Sequence, residues 1–117
     1  MLEVLRMKAK EVRTLSELRV VTEKTVRDYD IIVDPNMPYQ RLNASLAISL
    51  ANAYLKSTDP EFVMTRVLAC NVESAHLPGR CQIKADEQNT WFLSTAHNPV
   101  SLIETISWFK EIVERSR

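Results

Sequence analysis

Four side chains in this sequence are of types that bind soft metals or act as nucleophile and base: Cys70, His76, Cys81 and His97. They run in the order C-x5-H-x4-C-x15-H. A structural zinc site commonly pairs its ligands at gaps of about two to four residues, because a tight knuckle must aim two of them at one ion. Here only the His76–Cys81 gap of four falls in that range, and no second such pair accompanies it. The enzymatic version of the same set is the Cys81 thiol beside the His97 imidazole. A thiolate nucleophile needs a base oriented by a third group, and no local signature supplies one. The simpler reading makes both cysteines small core residues on strand faces and both histidines turn residues. No catalytic residue, cofactor-binding residue or metal ligand is assigned, and no cofactor is expected.

Arg66 is the other chemically suggestive position. It interrupts an apolar face made by Phe62, Met64, Leu68, Cys70 and Val72. A buried guanidinium needs a carboxylate or carbonyl partner, which an acid such as Asp86 or a bound anion could supply. Tyr39, Trp91, Phe92, Trp108 and Phe109 are aromatics that either pack as core or line a pocket. Arg66, Trp91 and His97 are the candidate pocket residues.

The elements that must position these groups are punctuated by five prolines, Pro35, Pro38, Pro60, Pro78 and Pro99, each at an expected boundary. Residues 2–18 fit either a helix, through Leu2, Leu5, Ala9, Val12 and Leu15, or a strand with a turn near Thr14–Ser16. Residues 19–34 are rich in Val, Thr, Ile and Tyr and read as a strand, most clearly over Tyr29–Val33. Asp34-Pro35-Asn36-Met37-Pro38 reads as a turn. The window Tyr39–Ser57 is the most apolar in the chain and is expected to be a central buried helix, about 40–57. Its polar strip is narrow: Arg41, Ser45, Ser49, Asn52 and Lys56. The rest of the wheel is apolar, wider than the roughly 100° stripe a helix needs to cover one core. Three further strands are expected over 61–74, about 80–85 and 90–96, joined by turns at His76–Gly79 and Asp86–Asn89. A C-terminal helix, about 99–115, opens with Asn98 as N-cap and Pro99 as first residue, with Ser101-Leu102-Ile103-Glu104 as a second capping pattern. Leu102, Ile106, Phe109 and Val113 form its expected core stripe, with Trp108 and Ile112 to the side.

Composition excludes more than it assigns. The 117 residues suit one domain, 1–117, large enough to bury a core without staples. Fifteen Lys and Arg balance fifteen Asp and Glu, and each third of the chain is itself balanced. Nucleic-acid binding, which needs a concentrated positive footprint, is therefore not favoured. There is one glycine, Gly79. Loops that cradle phosphate need glycine so that backbone approaches the anion, so P-loop and Rossmann-type nucleotide binding are excluded within this sequence. Two cysteines make no disulfide framework, and no signal peptide or membrane span is read. A cytoplasmic protein with reduced thiols and no membrane partner is expected.

The fold class expected is α+β: an antiparallel sheet of about four strands with the central and C-terminal helices packed on it. That order of elements resembles roadblock-type light chains and small secretion chaperones, which pair through helix or sheet faces. The surplus apolar surface then points to a non-enzymatic protein-interaction or regulatory module acting as a homodimer, or with another protein as partner. Its expected interface is Ala44, Ala47, Ala51, Tyr54, Trp108 and Ile112. The alternative is a small-molecule or anion pocket, binding or enzymatic, between sheet and helices.

Overall fold

The computed structural model describes residues 1–11 and 18–116. Among these residues the elements are α1 (Leu2–Glu11), α2 (Lys24–Asp28), α3 (Pro38–Thr58), α4 (Arg66–Ala69), β1 (Gln82–Ala85), β2 (Thr90–Leu93) and α5 (Pro99–Arg115), with a 3-10 turn over Cys70–Ser74. The sheet has two antiparallel strands, in register from Gln82↔Leu93 to Ala85↔Thr90. The expected sheet of about four strands is thus corrected to a helix-rich α+β fold with one hairpin. The likeness to four-stranded pairing modules goes with it. Residues 2–11 are helical, while Val12, Leu15 and the Thr14–Ser16 turn lie outside the described residues.

Both missing strands have a physical explanation. Ile31 and Val33 are buried and Ile32 is exposed, so the alternation read from the sequence is present. Among the described residues no strand pairs with it: Ile32 N–H donates to the Glu73 carboxylate at 3.0 Å, and Asp30 turns the chain at φ 51°. Over 61–74, Thr65 caps α4 by accepting the Leu68 N–H at 3.3 Å. Cys70, Asn71 and Ser74 then bond carbonyls three or four residues back. Such local side-chain bonds compete with a ladder, and they win here.

The core lies on one side of α3. Val26, Ile31, Val33, Ala44, Ile48, Met64 and Ala69 are buried together, with Tyr29, Leu55, Phe62, Cys70 and Val72 around them. The rotation of α3 is the reverse of the sequence expectation. Its polar strip faces inward, onto α2. Ser45 is 0% exposed and accepts the Val26 N–H at 3.2 Å. Ser49 and Thr25 hydroxyls lie 3.4 Å apart, and Arg41 Nε donates to Glu23 at 2.8 Å. The neighbouring stripe about 100° round the helix, Leu42, Leu46 and Leu50, is 44%, 44% and 62% exposed. The helix expected to be buried all round is therefore buried on one face only.

α5 shows the same inversion. Its capping box is closed by Asn98 and Ser101, each side chain bonding the other's backbone, so the helix starts at Pro99 rather than three residues later. Trp108 is buried, and Phe92 meets both Trp108 and Phe109 edge-on at 5.7 and 4.9 Å. The stripe expected to be core is exposed at Leu102, Ile106 and Phe109. No helix among the described residues is long and apolar enough to cross a membrane.

Two outcomes follow from this packing. Ser45→Ala should cost about 1–3 kcal/mol in a urea melt, because the buried Val26 N–H loses its acceptor. Leu46→Ala should change stability by no more than about 0.5 kcal/mol, since its side chain faces water. Glu23 ionises below the usual carboxylate range, chiefly through its hydrogen bond from Arg41. A depressed pKa contributes stability above the unfolded value near 4.3, lost as pH falls through the folded value. The stability gap between wild type and Glu23→Gln, measured by denaturant melts, should be present at pH 7 and close as the pH drops below about 4.

Candidate functional site

Two turns and two helix starts converge on one groove. The first turn of α3 supplies Tyr39, Gln40 and Asn43. The turn before β1 supplies Arg80 and Cys81. The loop after β2 and the first turns of α5 supply Thr95, His97, Ser101, Glu104 and Thr105. The groove encloses about 670 Å³, a size that suits a small-molecule ligand.

Turn chemistry positions each wall. Gly79 has φ 72° and its N–H donates to Gln82 Oε1 at 3.1 Å. That left-handed conformation is easy only without a Cβ, which accounts for the place of the chain's one glycine. Cys81 also has positive φ, 49°, and this aims its thiol back at α3. There the Tyr39 hydroxyl and Cys81 Sγ lie 2.8 Å apart. On the other wall Ser101 Oγ accepts the His97 and Asn98 N–H groups, each at 3.2 Å, and donates to Asn98 O at 3.0 Å. Ser101 N–H returns a bond to Asn98 Oδ1 at 2.9 Å. His97 Nδ1 sits 3.1 Å from Thr95 O, and the Ser94 and Thr105 hydroxyls are 2.8 Å apart. These bonds hold the 94–98 loop against α5.

The polar groups in the groove are of mixed sign. Arg80 and His97 are exposed at its walls, and Glu104 stands half-buried among them. Partial burial, the Cys81 contact and the nearby Glu104 carboxylate push the Tyr39 phenol well above its ordinary range. It remains a neutral donor and acceptor in any neutral or mildly alkaline solution.

A second cavity of about 580 Å³ lies on the other side of the 77–81 turn. Ala44 and Ala47 of α3, Trp108 and Ile112 of α5, and His76, Arg80 and Cys81 of the turn line it. Arg80 and Cys81 border both spaces.

The groups singled out in the sequence are distributed as follows. His97 lines the groove. Arg66 opens α4 rather than interrupting a strand: it is 57% exposed, 4.0 Å from the Asp30 carboxylate, and donates to Asp30 O at 3.1 Å. Trp91 lies on the hairpin, where its indole N–H donates to Asp86 at 3.2 Å. Neither Arg66 nor Trp91 lines either cavity. Of the expected interface, Ala44 and Trp108 are buried, Ala47 and Ile112 line the second cavity, and Ala51 and Tyr54 are exposed. Cys70 is half-buried in the core and away from the other three soft ligands' cavities. Among the described residues no group of three or more His, Cys, Asp or Glu could hold a metal ion. Gln40, Asn43 and Arg80 were not singled out, and Ser101 and Glu104 only as a capping pattern. The signal available for them was that two strong turn sequences, 77–81 and 94–98, flank the hairpin at the same end.

No family model and no solved structure matches the chain. It is similar to the folylpolyglutamate synthase of Neurospora crassa, 34% identical over 84 residues, and to that of Saccharomyces cerevisiae, 27% identical over 92 residues. Each match takes in 68% of this chain and 16% of the relative, so the chain spans about one sixth of the synthases' length. A span covering 68% of 117 residues includes residues 39–79 wherever it is placed, and so nearly all of α3. The relatives are enzymes, and this overturns the expectation of a non-catalytic, non-enzymatic interaction module.

The groove makes one prediction independent of ligand. An ultraviolet titration of wild type minus Tyr39→Phe isolates this phenol, and it should ionise clearly above the ordinary tyrosine value near 10. Because the folded pKa is raised, the stability Tyr39 contributes is complete below about pH 10 and is lost as pH rises through the folded value.

Proposed function

We propose that this chain is the part of a folylpolyglutamate-forming enzyme that borders its folyl-glutamate chain, and that the groove at the start of α5 is where it does so. The likeness to the two fungal synthases, which necessarily runs through α3, is the observation that carries this reading.

The groove supports it chemically. A folylpolyglutamate offers a flat folyl head and a run of amides and carboxylates. Gln40 and Asn43 present side-chain amides that both donate and accept. Arg80 presents a planar fork suited to a carboxylate. Tyr39 stays neutral and can bond an amide without repelling the ligand's charge. Glu104 repels carboxylates, so it directs the ligand's anionic end toward Arg80 and faces an N–H donor itself. With one glycine and no phosphate-cradling loop, the chain is assigned no phosphate chemistry. Bond formation belongs to a larger assembly of which this groove is one wall.

Titration of the isotopically labelled chain with folyl monoglutamate and with folyl triglutamate, read by nuclear magnetic resonance, tests the reading. Shifts should gather at Tyr39, Asn43, Arg80, His97 and Ser101, with the triglutamate bound more tightly. Arg80→Ala should weaken the triglutamate about tenfold, the order expected for losing a hydrogen bond to a charged group. Absence of shifts at millimolar ligand, or shifts gathered elsewhere, would rule the groove out.

A further inference from the structure

The described chain leaves far more surface uncovered than a compact domain does. It exposes 9695 Å², where a monomer of its 13.5 kDa mass would expose about 6,500 Å². Its radius of gyration is 17.8 Å with extents of 56 × 34 × 21 Å, against about 13 Å for a compact chain of this length. The excess is roughly 3,000 Å² by the same scaling, and apolar stripes on the two long helices are part of it. On α3 these are Leu42, Leu46 and Leu50, and on α5 they are Ile103, Ile106 and Phe109. Stripes at three- and four-residue spacing on two long helices are what a helix presents to a protein neighbour. Monomers rarely leave contiguous apolar patches larger than about 300–600 Å². Among the described residues the hairpin adds two open strand edges, since each strand has one neighbour, and open edges accept further pairing.

We propose that the outward stripes of α3 and α5 are a docking surface for the portion of a folylpolyglutamate-synthase fold that this chain does not span. This rests on the synthase reading above. Three observations select that occupant. The relatives carry the matching segment within polypeptides about six times longer than the match, so in them an equivalent of α3 has a large body of protein available to cover it. The chain's excess surface, roughly 3,000 Å², is more than the roughly 800 Å² per partner that a standard interface buries. Finally, α3 and α5 face each other across the second cavity through Ala44, Ala47, Trp108 and Ile112, so both stripes are turned away from it, in different directions. A two-fold contact with a second copy buries the same patch on both subunits. It covers one stripe and leaves the other in water, whereas a body that wraps both helices covers both.

The test co-expresses the full 117-residue chain with the Neurospora crassa synthase from which the aligned segment has been deleted, each carrying a different tag. Expected is co-elution on size exclusion as a one-to-one complex, with the soluble yield of the deleted enzyme raised several-fold. Leu46→Lys and Ile106→Lys should each lower the recovered complex at least tenfold. Both sites are exposed in the free chain, so each variant alone should keep the wild-type circular dichroism spectrum and thermal midpoint. That excludes misfolding as the cause. Failure of the wild-type chain to co-elute, or complex formation that both lysine variants leave unchanged, overturns the proposal. A homodimer in sedimentation that persists in place of the complex overturns the proposed occupant. No ligand enters this experiment. Loss of folyl-glutamate binding with an intact complex would thus fault the groove, and the converse would fault the docking surface.

Discussion

The Ser45 hydroxyl accepts the Val26 N–H at a position with no solvent contact, and that bond fixes which side of the longest helix faces in. A buried backbone donor without a partner costs about as much as any single side chain can contribute. Once Ser45 takes up the Val26 N–H, α2 must lie along the serine strip of α3. Arg41 and Glu23 close one end of the contact and Thr25 and Ser49 extend it. The apolar core then forms beside this seam, where Ala44 and Ile48 meet Val26, Ile31 and Met64. The leucine stripe is left on the outside as a consequence of that choice.

The same rotation shapes the groove. It points the first turn of α3 toward the 77–81 turn, where positive φ at Gly79 and Cys81 brings the thiol onto Tyr39. The Asn98–Ser101 capping box fixes the facing wall. The groove is thus built from turn and cap geometry rather than from a core. It stays open because nothing in the described chain lies over it.

What could be read from the sequence was local. Asn98 and Pro99 start α5 as their chemistry requires, the Pro38 boundary begins α3, and Gly79 marks the turn into β1, each a short-range rule with one mechanism. The failures came from ambiguity between periods. The alternation over 29–33 is real in burial, but whether an extended segment pairs with a strand or with a Glu73 side chain is a tertiary matter. Over 61–74, Phe62 and Met64 alternate, while Thr65, Asn71 and Ser74 offer local bonds that convert the rest to helix and 3-10 turn. The orientation of α3 was the hardest point. Polar residues on a wheel are ordinarily the wet face, and only the unpaired Val26 N–H, invisible in sequence, makes Ser45 the inward one. His97, Tyr39 and Cys81 were singled out, but Gln40, Asn43 and Arg80 were missed because turns far apart in sequence form the groove.

The inverted helix is the claim on which the groove and the docking surface both depend. Single cysteines at Ser45 and at Leu46, in a background with Cys70 and Cys81 replaced by serine and alanine, can be labelled with a thiol reagent under native conditions. The expected result is labelling at Leu46 at nearly the rate of a free thiol, with Ser45 protected by at least a hundredfold. Rapid labelling at Ser45 with protection at Leu46 would place the serine strip in water and contradict the account.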